Sequence, residues 1–328
     1  MRMKHLAFQT LRALADGEYH SGEAIAHSLG VSRGAVWYGI RDILAAGLAV
    51  EKVRGRGYRL QQPVSMLSAD AVRSAMGSAA ETIDVELVDT TDSTNSLLMQ
   101  RAAAGERRPL ALATEWQQAG RGRRGRVWHS ALGSSLTFSV LWPFQQGARE
   151  LAGLSLAVGV ALAQVCREAG AAAVQLKWPN DVVTPAGKLA GILIEMQGDV
   201  LGPSLAVIGI GLNVRADAAL TQQVDQALTA LETETARPVD RNLILGKALA
   251  ALVDTLSRFG TSGFTASRDH WQSLHAHQDQ AVTLIQPDGV CIGGIARGAA
   301  EDGSLLLETP SGVQRFHSGE LSLRTACP

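Results

Sequence analysis

The sequence predicts an α+β chain in three parts: an N-terminal winged helix-turn-helix, a central mixed sheet with helices on one side, and a small SH3-like C-terminal β-barrel. Three observations lead there. Residues 1–60 carry helical apolar spacing cut by glycine turns and followed by a basic hairpin. The middle of the chain alternates strand-like apolar runs with helical segments, and from about residue 280 short strands are separated by glycines. The 328 residues are enough for two domains and a small third. The expected divisions are 1–63, 64–277 and 278–328.

In the head, Leu6, Leu11 and Leu14 share a helical face that ends at Asp16-Gly17. Ser21 is placed to cap a second helix with Ile25, Ala26 and Leu29 on one side, and Gly30 stops it. Ser32 caps a third helix over about 33–46, with Val36, Ile40, Ile43 and Leu44 expected inward. "LAVEKVRGRGYRL" then reads as a β-hairpin wing with Arg54 and Arg56 at its tip. Helix, glycine turn, helix and basic wing together are the pattern of a DNA reader. Ser32, Arg33, Trp37, Tyr38 and Arg41 would face base edges and phosphates, and Arg54 and Arg56 the backbone. A winged helix that docks only onto protein has the same pattern.

Charge is uneven. Residues 1–63 hold nine Lys/Arg against five Asp/Glu, a net of +4, whereas the whole chain has a net charge of -1. A basic head suits a polyanion. Cys166, Cys291 and Cys327 lie far apart with no metal-ligand spacing, which fits a reducing compartment and no dedicated metal site. The first ten residues lack a continuous apolar core, so no signal peptide is expected, and the most apolar window, residues 151–165, is too short for a bilayer. A cytoplasmic protein without a membrane partner is therefore expected.

"TEWQQAGRGRRGRVWHS" (114–130) is the most unusual segment. Gly120, Gly122 and Gly125 match G-x-G-x-x-G, yet a strand follows instead of a helix, and no carboxylate stands in the right context about 20 residues on. Nor does a P-loop lysine occur there. What remains is a flexible loop dense in guanidinium groups (Arg121, Arg123, Arg124, Arg126), able either to fold over a triphosphate or to form a basic patch for nucleic acid.

That loop closely resembles the adenylate-forming loop of biotin protein ligases. "DSTN" (92–95), "KWPNDV" (177–182), "GKLAGILIE" (187–195) and "IGIGLNV" (208–214) match the same family's motifs in the same order. With the winged helix, the chain resembles the bifunctional biotin operon repressor and ligase class over essentially its full length. The resemblance implies a class II synthetase-like fold for the central domain, and ATP, biotin and Mg²⁺ as reactants. It also implies a biotin carboxyl carrier domain of acetyl-CoA carboxylase as acceptor, operator DNA as a partner, and a homodimer when the adenylate is bound.

By the same resemblance, Ser93, Thr94, Asn95 and Gln117 hydrogen-bond the ureido ring of biotin. As residues alone, "DSTN" equally reads as a helix cap. Arg121, Gly122 and Arg123 would close over the biotin carboxylate and the phosphates, with Arg123 retaining the adenylate. Lys188 would pair with the carboxylate and the α-phosphate, and Gly191 would let the backbone approach biotin. Asp181 either orients the acceptor amine or closes an Asx-turn. Lys177 and Asn180 fall near ATP, and Asn213 either touches the nucleotide or caps its strand. Trp128 reads as packing, and residues 215–234 fit no pattern from which adenine contacts can be assigned. Competing functions are a ligand sensor with an inactive synthetase-like domain, a ligase whose winged helix no longer represses, and a lipoate-type ligase. The "GRGRRGR" loop and the winged helix favour biotin.

Overall fold

The computed structural model describes residues 3–198, 202–286, 290–317 and 322–324. The head is built from α1 (His5–Leu14), α2 (Gly22–Leu29) and α3 (Arg33–Ala45), then the hairpin β1 (Val50–Val53) and β2 (Gly57–Leu60). Ser21 and Ser32 cap α2 and α3 by accepting from the amides of Ala24 and Ala35, as their positions require. Phe8, Leu11, Leu14, Ile25, Val36, Ile40 and Ile43 form the core of this part. Leu44 departs from expectation: it is 49% exposed, because one further step around α3 turns it away from α1. Gly57 has a φ of 107° and runs against the His20 carbonyl, where a Cβ would collide, so the wing can close only on glycine.

After the head come α4 (Ala69–Met76), β3 (Asp84–Thr91), α5 (Thr94–Ala103) and β4 (Leu110–Gln117). The short pair β5 (Gly120–Arg121) and β6 (Val127–Trp128) follows, then β7 (Ser135–Phe144), α6 (Leu154–Glu168), β8 (Gln175–Lys177), β9 (Asp181–Thr184), β10 (Gly187–Gly198) and β11 (Ser204–Asn213). Seven of these strands form one sheet in the order β3-β4-β7-β11-β10-β9-β8, in which only β3–β4 is parallel. β3, whose alternation of Asp84-Val85-Glu86-Leu87 is cut short by Val88 and the polar run after it, was not apparent in the sequence.

The helices are not confined to one side of this sheet. α4, α6 and α9 (Arg241–Ser262) cover one face with the main core. α5 lies on the other, packing Leu98 and Ala102 over Leu110, Leu112, Leu141, Leu205 and Val207. Residues 148–168 are long and apolar enough to cross a membrane by composition, but most of the apolar stretch within them is buried in the core of this domain. Between β11 and α9 lie α7 (Ala218–Gln222) and α8 (Leu231–Thr235), and α10 (Thr265–Leu274) follows α9.

The C-terminal part is a separate antiparallel sheet, not an extension of the central one. It comprises β12 (Ala281–Ile285), β13 (Cys291–Ala299), β14 (Leu305–Thr309), β15 (Gly312–Phe316) and β16 (Ser322–Arg324), in the order β15-β14-β13-β12-β16. Cys327 lies outside the described residues.

The parts are tied by buried polar groups. Arg241 and Glu115, each with a side chain 2% exposed, pair at 2.6 Å, and Arg241 also donates to the carbonyls of Ser65 and Ser135. This clamp fixes the segment leaving the head to the central sheet. On the surface, Arg12 of α1 reaches Asp89 of β3 at 2.5 Å.

Candidate active site

A pocket of about 240 Å³ opens over β10 and β11, roofed by the β5–β6 hairpin and closed at its sides by the start of α5 and the β8–β9 turn. Its floor is glycine. Gly191 and Gly211 are paired across β10 and β11, and Gly209 lies two residues before Gly211 on the same face. A Cβ on Gly211 would enter the Trp128 ring, and one on Gly209 would strike Asn95 Oδ1. The glycines of "IGIGLNV" therefore let an indole and an amide lie directly on the sheet. Trp128, read from the sequence as packing, lines the pocket instead, with its indole Nε1 buried and without a hydrogen-bond partner among the described residues.

One end of the pocket is polar and uncharged. Ser93 caps α5, accepting from the Ser96 amide at 3.3 Å. Gln117 Oε1 accepts from the Thr94 amide at 2.9 Å and lies 3.2 Å from its hydroxyl. Ser139 Oγ stands 2.6 Å from both Thr94 Oγ1 and Asn95 Oδ1. Asn95 Nδ2 donates to the Leu193 carbonyl and, at 2.9 Å, to Glu195. The cap reading and the pocket reading of "DSTN" are both realised, since the residues that begin α5 are also buried against the cavity.

The other end is cationic. Lys188 Nζ lies 2.7 Å from Asp181 Oδ1 and 5.7 Å from the centre of the Trp128 ring. Arg123 donates to Asn180 Oδ1 at 3.1 Å. Its burial holds the guanidinium below its ordinary pKa, an effect that Asp181 opposes and Arg124 and Arg126 reinforce. Arg121, Gly122, Lys177 and Asn180 complete this end, so every residue singled out for the reaction lines the same cavity. The segment 120–128 is not structureless: it folds as a short hairpin with Arg124 at φ 58° in its turn.

Residues 215–234, unassigned from the sequence, supply a wall. Residues 227–229 run along the start of β10, where the Lys188 amide donates to the Ala227 carbonyl and the Thr229 amide to the Lys188 carbonyl. Asn213 Nδ2 donates to the carbonyls of Lys188 and Thr229 and so ties this wall to the sheet, while the residue also lines the cavity. Val224, Gln226 and Leu228 face the pocket, and Leu323 of β16 reaches it from the C-terminal sheet. Period-two glycines at 209 and 211 were a usable signal for the floor. Glu195 stood at the end of the 187–195 motif without an assigned role, and Ser139 and Leu323 had no signal.

On the head, the N-cap Ser32 and Arg33, Trp37, Tyr38 and Arg41 of α3 are all exposed, and Arg54 and Arg56 are exposed on the wing. Arg41 sits over the Trp37 and Tyr38 rings, and Arg56 stacks 4.0 Å from the Tyr19 ring. This basic, aromatic face is continuous with solvent.

A helix-turn-helix head joined to a mixed sheet with a glycine-floored pocket, uncharged at one end and cationic at the other, defines the class: a domain built to take a small anionic molecule, fused to a winged helix. Comparison with known proteins identifies the family. The HTH domain family matches residues 7–59, the biotin/lipoate A/B protein ligase family residues 87–213, and the biotin protein ligase C terminal domain residues 277–324. The bifunctional ligase/repressor BirA of Salmonella typhimurium is 38% identical over 95% of this chain and 96% of its own length. That of Escherichia coli is 35% identical over 99% of both, and that of Bacillus subtilis 30% identical over 94% and 95%. The biotin protein ligase of Aquifex aeolicus, solved with biotin and ATP, superposes with a TM-score of 0.64 at 28% identity, over 74% of this chain and 99% of that one. The chain belongs to the bifunctional ligase/repressor family of biotin protein ligases.

Proposed function

We propose that this protein joins biotin to an acceptor lysine at the expense of ATP, and that its head represses transcription in response to the same intermediate. One observation carries the reading: a single cavity holds an uncharged hydrogen-bonding end and a cationic end, the two halves that a biotinoyl-adenylate requires. The ureido ring is assigned to Ser93, Thr94, Asn95 and Gln117, with Gly191 under the apolar body of biotin.

The first step brings two anions together. A biotin carboxylate oxygen attacks the α-phosphorus of ATP, and pyrophosphate leaves with its bonding electron pair. Such chemistry needs alignment and charge neutralisation more than a protein nucleophile. Lys188 is assigned to the carboxylate and the α-phosphate, Arg121, Gly122 and Arg123 to the closed loop over them, and Lys177, Asn180 and Asn213 to the nucleotide. Mg²⁺ is read as arriving with the triphosphate to screen its charge. Among the described residues, no cluster of three or more His, Cys, Asp or Glu side chains is arranged to hold a metal by itself. In the second step an acceptor amine attacks the acyl carbon and AMP leaves. Asp181 is assigned to orient that amine or take its proton, since the protonated amine is inert.

A biotin carboxyl carrier domain of acetyl-CoA carboxylase is the proposed acceptor, and the functional divisions are taken as 1–63, 64–277 and 278–328. Operator DNA is proposed to meet Ser32, Arg33, Trp37, Tyr38, Arg41, Arg54 and Arg56, which makes the cytoplasm the working compartment. The adenylate-bound form is read as a homodimer joined through a sheet edge. In support, beyond Gly191 the described part of β10 makes ladder pairs only with β11, and Met196 is 38% exposed there.

Mass spectrometry of a carrier domain incubated with the protein, ATP and biotin should show one added biotin. An unmodified acceptor would overturn the ligase reading. Footprinting of a biotin-gene promoter should show protection that strengthens with biotin plus ATP, and equal protection in both conditions would overturn the repressor reading.

A further inference from the structure

The arginine loop and the uncharged end of the pocket meet at one carboxylate. Glu195 lies on β10, 26% exposed, and its Oε2 accepts from Asn95 Nδ2 at 2.9 Å and from Arg121 Nη2 at 2.6 Å. We propose that Glu195 is a positioning residue, a latch whose charge holds the arginine hairpin shut over the pocket while fixing which way the Asn95 amide points. The proposal rests on the ligase reading above.

Both effects follow from the acceptor chemistry. An ionised carboxylate accepts only, so whatever faces it must donate. That forces Nδ2 of Asn95 toward β10 and leaves Oδ1 beside Ser139 and Gly209, where there is no space for a Cβ. The same oxygen takes the guanidinium of Arg121, the second residue of β5, at the point where the hairpin leaves the sheet. Across the loop, Arg123 is held by Asn180, itself fixed by donating to the Ile192 carbonyl. Among the described residues these contacts pin the roof on both sides, and the Glu195 pin is an ion pair linked to a residue beneath the roof. A charge-assisted hydrogen bond is stronger than a neutral one, so removing the charge loosens that side first.

Release of radiolabelled biotinoyl-adenylate from the full-length protein tests this, with wild type, Glu195→Gln, Arg121→Gln and the double variant compared. Each single change should speed release about tenfold, the scale of one charge-assisted hydrogen bond. The double variant should fall short of the product of the two single effects, because both changes remove the same Glu195–Arg121 bond. Glu195→Asp, which keeps the charge, should recover part of the retention. Wild-type release in Glu195→Gln, or additive effects in the double variant, would overturn the latch. If Glu195→Gln fails to fold, Arg121→Gln and Glu195→Asp decide alone: retention at the wild-type level in Arg121→Gln, or no difference between it and Glu195→Asp, overturns it. A wild type that makes no adenylate would refute the ligase reading itself, a result visible before any variant is measured.

Discussion

Lys188 Nζ and Asp181 Oδ1 stand 2.7 Å apart across the β9–β10 pair, with side chains only 16% and 19% exposed. In the proposed reaction a cation and a carboxylate so placed have separable duties: the lysine is assigned to the anions that react, and the carboxylate to the amine that arrives later. Lys188→Ala should slow adenylate formation by about 10²–10³-fold, the scale of losing one transition-state charge partner. Asp181→Asn should slow transfer to the acceptor more than adenylate formation. Single-turnover measurement of the two steps checks both, and equal slowing of both steps by Asp181→Asn would contradict its assigned role.

The glycine floor makes a steric prediction. Gly211→Ala puts a methyl group where the Trp128 ring lies, and the ring must move into the cavity. Biotin affinity measured by calorimetry should fall at least about tenfold, more than a single misplaced contact of roughly 1 kcal/mol would cause. Unchanged affinity would show that Trp128 does not shape the pocket.

Buried charge at the junction predicts a stability effect without a catalytic one. Glu115→Ala leaves the guanidinium of Arg241, 2% exposed, without its carboxylate. The cost should be about 3–5 kcal/mol in urea unfolding, because an uncompensated buried charge remains. A loss below 1 kcal/mol would mean that the clamp is not what joins the linker to the sheet.

His275 predicts a pH dependence. The ring stacks on Trp271 at 4.6 Å, its Nε2 has no hydrogen-bond partner among the described residues, and burial pulls its pKa down to about 4 from 6.5. His277 is lowered as well, by burial and by Lys177. With the folded pKa below the unfolded one, the unfolded chain binds more protons between about pH 6.5 and 4. Stability present above pH 6.5 should therefore be lost as the pH falls through that window, by up to roughly 3 kcal/mol for His275. Thermal unfolding of wild type and His275→Phe between pH 7 and 4 checks this, and parallel curves would contradict it.

Much of the architecture was legible because it is written in local chemistry. Ser21, Ser32 and Ser93 cap helices from positions that any reader can find, and the wing needs a glycine where Gly57 stands. The catalytic motifs were legible as strings, and the structure brings them to one cavity. Contacts between distant segments were not. Glu195 looks like an ordinary polar residue at the end of an apolar strand until Asn95 and Arg121, 100 and 74 residues earlier, meet it. Trp128 gained its meaning from Gly211, 83 residues on, and residues 227–229 from the Lys188 backbone they pair with. Leu44 and the position of α5 were misjudged for a related reason: helical spacing tells which side chains share a face, not what stands opposite.

The central claim is that one cavity makes a mixed anhydride of biotin and AMP. ATP–pyrophosphate exchange by the purified protein tests it most directly, with biotin or lipoate as the only acid supplied. Exchange should depend on biotin, vanish without it, and stay near background with lipoate. No exchange with biotin, or equal exchange with lipoate, would contradict the account.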